Sequence, residues 1–128
     1  MEHIVGLFAD RSAAEGAVER LKTSGAAYED HTIKEYDPSL KGWLERIFGM
    51  VEPLSAMQAE GVEHEDARWY ADQMEKGRVM LLVRSEQGAT TLGKILRDAG
   101  AELVRIYNFE QGRRVRTLAD DIGAPAPR

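Results

Sequence analysis

Cysteine is absent from this 128-residue chain, and several kinds of site are absent with it. Without thiols there is no disulfide scaffold, no zinc site built on cysteine, no iron–sulfur cluster and no cysteine nucleophile. Basic charge is also in deficit, because 17 Lys and Arg stand against 22 Asp and Glu. Proteins dedicated to nucleic acids carry a basic face, so we expect no nucleic-acid partner.

Long apolar runs are missing as well. The longest unbroken one covers residues 79–83, and the first apolar stretch, residues 4–9, is too short for the core of a signal peptide. A membrane-spanning helix needs about 18 apolar residues. We therefore expect a cytoplasmic protein without a membrane partner, and a length near ~130 residues predicts one hydrophobic core.

The first part of the chain has the pattern of a strand, a helix and a second strand. Residues 4–8 are apolar and predict a strand, and Ser12 with Glu15 fits a capping box that begins a helix. Apolar residues then recur at helical spacing until Gly25, a residue that commonly ends a helix. Residues 31–36 follow as a strand of mixed polarity.

The same pattern returns later. Residues 78–84 predict a strand, a helix follows, and residues 102–109 predict the last strand. A constant offset aligns Leu21 with Leu96 in the two helices. Two such units in one sheet predict an α+β fold of the ferredoxin-like βαββαβ type, with both helices on one face. The apolar strands one and three are expected at its centre, and strands two and four at its edges.

A helical insert, residues 37–77, separates the two halves. The first predicted helix has Asp37 as its cap, Pro38 in its first turn and Pro53 at its end, and two further helices are predicted over residues 54–60 and 63–76. We expect residues 1–109 to form a single ferredoxin-like domain that includes this insert. Residues 110–128 end in a Pro- and Ala-rich sequence and are expected to be a partly disordered tail.

Short motifs in the insert and after it are familiar. They are Gly61-Val62, the acidic helix start Glu63-His64-Glu65-Asp66, Ala67, Tyr70, Gly77 and the strand 79–83. Together with the first half they resemble the bacterial general stress protein (heat-induced stress protein) domain over residues 4–106. The resemblance implies a role in stress responses and carries over no catalytic residues. Members of that family often have a Gly- and Ala-rich apolar hairpin between their halves, where this chain has a charged amphipathic insert.

Chemically reactive side chains form no familiar constellation. The three histidines, His3, His31 and His64, lack the helical spacing that places two ligands on one face. Residues 63–66 form an acidic first helical turn, which the helix dipole explains. The basic cluster at residues 113–116 has acidic neighbours and fits a solvated tail. We therefore expect no catalytic residue, no metal and no cofactor.

The central strands are apolar on both faces, although the two βαβ helices can cover only one. A second subunit, the insert or the tail must cover the other face, and the sequence leaves the choice open. The amphipathic stripe of the insert is the predicted interaction surface, and it consists of Trp43, Leu44, Ile47 and Phe48. The function expected is non-enzymatic: a stress-associated domain that acts through protein–protein contact, as a homodimer or with another protein.

Two alternatives remain open at this stage. One is a small-ligand sensor, whose polar groups would come from the junction around Asp10, Arg11 and Arg84. The other is an enzyme similar to the dimeric α+β-barrel monooxygenases, which use the second face of the sheet as a pocket.

Overall fold

The computed structural model describes residues 2–47, 62–108 and 113–120. Along the chain the elements are β1 (Glu2–Phe8), α1 (Arg11–Ser24), β2 (Asp30–Lys34), α2 (Leu40–Ile47), α3 (Val62–Glu75), β3 (Val79–Ser85), α4 (Ala89–Asp98), β4 (Leu103–Asn108) and β5 (Arg113–Asp120). The predicted helix over residues 54–60 lies outside the described residues. The predicted α+β class is confirmed.

The strands form one five-stranded sheet in the order β2-β3-β1-β4-β5, and all neighbours are antiparallel. The predicted central pairing of the first and third strands is confirmed, since β1 pairs with β3 from Glu2 opposite Ser85 to Phe8 opposite Val79. The predicted edge position of β2 is confirmed as well. The edge position expected for β4 is wrong, because β5 pairs along its outer side.

The first face of the sheet is covered by α1 and α4. Their buried residues pack with alternate strand residues such as Ile4, Leu81 and Ile106 in one hydrophobic cluster. The predicted capping box at Ser12 is wrong. Asp10 is the N-cap of α1, and its carboxylate accepts a hydrogen bond of 2.8 Å from the backbone N–H of Ala13.

The ends and the packing of the two helices depend on glycine at particular places. Gly25 ends α1 as predicted, in the left-handed conformation with φ of 76°. Gly88 is the N-cap of α4 and is also in the left-handed conformation, with φ of 80°. Within α4, a Cβ atom on Gly93 would collide with Leu118 and lie 3.3 Å from Val104, so this glycine allows the helix to approach β4 and β5 closely.

The second face is covered by the insert helices α2 and α3. Leu40 and Leu44 of α2, with Tyr70 and Met74 of α3, are buried in one cluster with residues of the sheet. Those sheet residues are Val5, Leu7, Met80, Leu82, Leu103 and Tyr107. The question that the sequence left open is therefore answered for this face: the insert packs against the sheet of its own chain.

The strand β5 was not among the predicted elements. It lies within residues 110–128, the stretch expected to be a tail, and pairs with β4 from Leu103 opposite Asp120 to Asn108 opposite Arg113. The register shifts twice, between Val104 and Arg105 and between Ile106 and Tyr107. Each shift interrupts the alternation of side chains between the two faces.

Candidate functional site

Of the predicted interaction stripe, the structure describes Trp43 and the side chain of Leu44, and both pack against the sheet of the same chain. Leu44 is 2% exposed and belongs to the core of the second face. Trp43 is half-buried and packs against the same cluster. Ile47 is the last residue of α2, and its side chain lies outside the described part of the chain. The whole of Phe48 lies outside that part as well. Leu44 is therefore used within the chain and offers no surface to a partner.

A buried group of aromatic rings around a cation fixes α3 on the second face. Arg105 of β4 is fully buried, and its guanidinium carbon lies 5.0 Å from the ring centroid of Trp69 and 5.7 Å from that of Tyr70. The hydroxyl groups of Tyr70 and Tyr107 are 2.8 Å apart and share a hydrogen bond. Such cation–π and hydroxyl contacts orient a helix as well as bury it.

Sequence reasoning missed this group. The edge position expected for β4 gives no reason for Arg105 to be buried, whereas β5 pairs outside β4 and residues of α3 pack against the guanidinium group. The available signal was the spacing of Leu103, Arg105 and Tyr107, which places all three on the same face of a strand. Two of them are apolar or aromatic, so the arginine between them faces the same covered side.

A salt bridge joins the edge strand to its neighbour at one end of the second face. Asp30 of β2 lies directly opposite Arg84 of β3, and Arg84 Nε donates to Asp30 Oδ1 at 2.8 Å while Nη2 donates to Oδ2. These hydrogen bonds lower the pKa of the Asp30 carboxyl and raise the pKa of the Arg84 guanidinium. Both side chains are more than two-fifths exposed, so solvent screens the attraction.

The junction expected for a small-ligand sensor is not formed. Arg84 lies opposite His3 at the beginning of β1, whereas Asp10 and Arg11 follow the end of that strand. Strand residues advance by about 3.3 Å each, which separates the two groups by roughly 20 Å. Arg11 instead donates to Glu15 at 3.1 Å and to Glu35 at 2.6 Å. The structure therefore does not bring together the polar groups predicted for a ligand.

Strand β2 is one of the two outer strands of the described sheet, and β5 is the other. The strand pairs with β3 on one side, and no described strand pairs with its other side. Ile33 and one flank of α1, including Gly16 and Glu19, line an open groove of about 520 Å³ beside it. Tyr36, just beyond the strand, is 53% exposed and is the one large hydrophobic side chain exposed among the described residues.

The lysine that could block this edge is folded onto the second face. Lys34 Nζ lies 3.2 Å from both Asp37 Oδ2 and Ser39 Oγ, and 5.8 Å from the ring centroid of Trp43. Hydrogen bonds from Ser39 and Lys34 lower the pKa of the Asp37 carboxyl. Edge strands are commonly protected by lysine side chains that project past them. Here the side chain is only 18% exposed, so it does not serve that purpose.

The remaining predicted groups do not converge. Half-buried His31 is edge-on to Tyr28, and the side chains of His64 and of the basic cluster at residues 113–116 lie outside the described part. Within residues 2–47, 62–108 and 113–120, no three acidic or histidine side chains lie close enough together to hold a metal ion. None of the helices in these ranges is long and apolar enough to cross a membrane.

Comparisons of this chain with protein-family models, with curated proteins and with solved structures gave no match. The resemblance to the general stress protein domain therefore stays a prediction.

Proposed function

We propose that this chain is a non-enzymatic, stress-associated domain that acts through protein–protein contact, and that the contact surface is the free edge of β2. The proposal includes a cytoplasmic location and a ferredoxin-like arrangement of the two βαβ halves, to which the insert and β5 are added. The strand order β2-β3-β1-β4 and the placement of α1 and α4 on one face support that arrangement.

The observation that carries the proposal is the contrast between covered faces and an open edge. Helices α1 and α4 cover the first face, and α2 and α3 cover the second. The free side of β2 has backbone groups without a strand partner among the described residues, beside a groove and an exposed tyrosine. An open edge adds an extended segment of a partner through backbone hydrogen bonds, and a neighbouring groove receives alternate side chains.

A photo-crosslinking experiment in living cells tests this surface. A benzophenone-bearing phenylalanine analogue replaces Tyr36 beside the edge, or Lys94 on the exposed side of α4 as the matched control. We expect one adduct of discrete mass from position 36 and none from position 94. Equal labelling from both positions, or no adduct from either, would contradict the proposal.

Removal of a backbone donor at the edge makes the test specific. Alternate residues of an edge strand direct their N–H groups outward, so proline at one of two neighbouring positions leaves the ladder to β3 intact. His31→Pro and Thr32→Pro are both made in the crosslinking background, and circular dichroism identifies the variant that keeps its fold. We expect the adduct from position 36 to disappear in that variant. Its persistence would show that the contact does not use the edge of β2.

A further inference from the structure

We infer that the partner of the β2 edge is a second copy of this chain, paired antiparallel with β2 about a two-fold axis. The inference rests on the proposed function and names its partner. When a strand pairs with its own copy, the side chains of one copy must be complementary to the same side chains of the other. In a two-fold interface each contact between two different residues therefore occurs twice.

The charges of β2 have this self-complementary order. Asp30, Thr32 and Lys34 are alternate residues, so they share the second face of the sheet. If the pair is centred on Thr32, Asp30 of each copy lies opposite Lys34 of the other. Opposite charges directly across an antiparallel pair stabilise it, and facing threonines can share a hydrogen bond.

Neighbouring registers lose this match. A pair centred on His31 places Asp30 opposite Thr32, and one centred on Ile33 places Asp30 opposite Tyr36. The register centred on Thr32 places Glu29 of one copy opposite Glu35 of the other, just beyond the ends of β2. Arg11 Nη1 lies 2.6 Å from Glu35 Oε2 of its own chain, and this positive charge offsets the repulsion between the two glutamates. The charges therefore favour one register for a pair of β2 strands.

The first face fits the same arrangement. A two-fold axis perpendicular to the sheet keeps this face on the same side in both copies, so the sheet continues from one to the other. In the favoured register His31 lies opposite Ile33 of the second copy. The groove beside Ile33 is open, and a Cβ atom placed on Gly16 of its α1 flank would meet nothing within 4 Å. The second copy therefore has room on this side.

Charge reversal tests the inference through the mass of the protein in solution. Light scattering after size exclusion should give the wild-type chain a molar mass twice its 14.3 kDa. Lys34→Glu and Asp30→Lys each give positions 30 and 34 charges of the same sign. We expect the Kd of the dimer to rise by a factor of about 10 or more in each variant, because both symmetric pairs change from attractive to repulsive. Lys94→Glu on α4 makes the same charge change away from the edge and should leave the mass unchanged.

A mixture separates the interface from side effects within each monomer. Asp30 and Lys34 also contact Arg84 and Asp37 of their own chain, and those losses are the same whether a variant is alone or mixed. In an equimolar mixture of Lys34→Glu and Asp30→Lys every facing pair is again opposite in charge. We expect the dimer mass to return in the mixture, and a mixture that stays monomeric would overturn the inference.

Other outcomes are equally decisive. A wild-type chain that stays monomeric at hundreds of micromolar would overturn the second-copy inference, as would a dimer that Lys34→Glu leaves intact. A monomeric chain that still gives a proline-sensitive adduct of different mass at position 36 would contradict only the second copy. Failure of all adducts would contradict the proposed function itself.

Discussion

Substitution of Leu44 by alanine tests whether the insert belongs to the protein's own core. Leu44 is 2% exposed and packs in the cluster that includes Val5, Leu7 and Met80. Truncation of a buried leucine costs about 2–5 kcal/mol, because apolar burial is lost and a cavity remains. For a chain of 128 residues the unfolding entropy is about 0.27 kcal/mol/K, so a loss of ~3 kcal/mol lowers Tm by about 11 °C.

The assay is urea unfolding followed by two signals on the same samples. Both tryptophans of the chain, Trp43 and Trp69, pack against the second face, so their fluorescence reports on the docking of the insert. Far-ultraviolet circular dichroism reports on the whole domain. We expect Leu44→Ala to lower both midpoints by the same amount, because the insert and the sheet share one core.

A matched control is Thr91→Ala on the exposed side of α4, which should change the free energy of unfolding by no more than about 0.5 kcal/mol. The reasoning would be refuted if Leu44→Ala left the dichroism midpoint unchanged. That result would mean that the insert undocks separately and that the sheet is stable with its second face open.

Three further predictions concern other parts of the core and the edge. Tyr70→Phe and Tyr107→Phe should each reduce the free energy of unfolding by about 1 kcal/mol, and the double variant by less than the sum, because both remove the same hydrogen bond. The hydrogen bonds from Arg84 lower the pKa of Asp30, so the salt bridge stabilises the fold above about pH 4. This stabilisation is lost as the pH falls through the lowered pKa. Asp30→Asn should therefore flatten that part of the stability–pH profile measured by urea unfolding. Gly93→Val should cost about 1–3 kcal/mol in the same assay, because its side chain would collide with β4 and β5, whereas Gly16→Ala, on an open helix surface, should stabilise by about 0.5–1 kcal/mol.

Much of the sheet could be predicted because local patterns and global packing agree there. The apolar strand at Val79–Ser85 and the helix that ends at Gly25 have unambiguous signals, and both were placed correctly. The cap of α1 was not, because Asp10 and Ser12 are both good N-cap residues and sequence spacing favoured the serine. In the structure Glu15, its supposed partner, binds Arg11 instead.

The remaining errors come from long-range pairing. Strand β5 is rich in arginine, and its two register shifts against β4 break the alternation that would have revealed it. Because β5 was not predicted, β4 was expected at an edge of the sheet, and that expectation does not account for the full burial of Arg105. Leu44 of the predicted interaction stripe lies in the core of the second face, and an amphipathic helix does not itself show what its apolar side covers.

Amide hydrogen exchange measured across protein concentration tests the central claim most directly, because it locates the contact on the sheet. The chain has two outer strands among those described, β2 and β5, and only the first is proposed to pair with another copy. We expect exchange within Asp30–Lys34 to slow as the dimer fraction rises, while exchange within Arg113–Asp120 stays constant. Concentration-dependent protection confined to Arg113–Asp120, or a dimer without added protection in β2, would contradict the account.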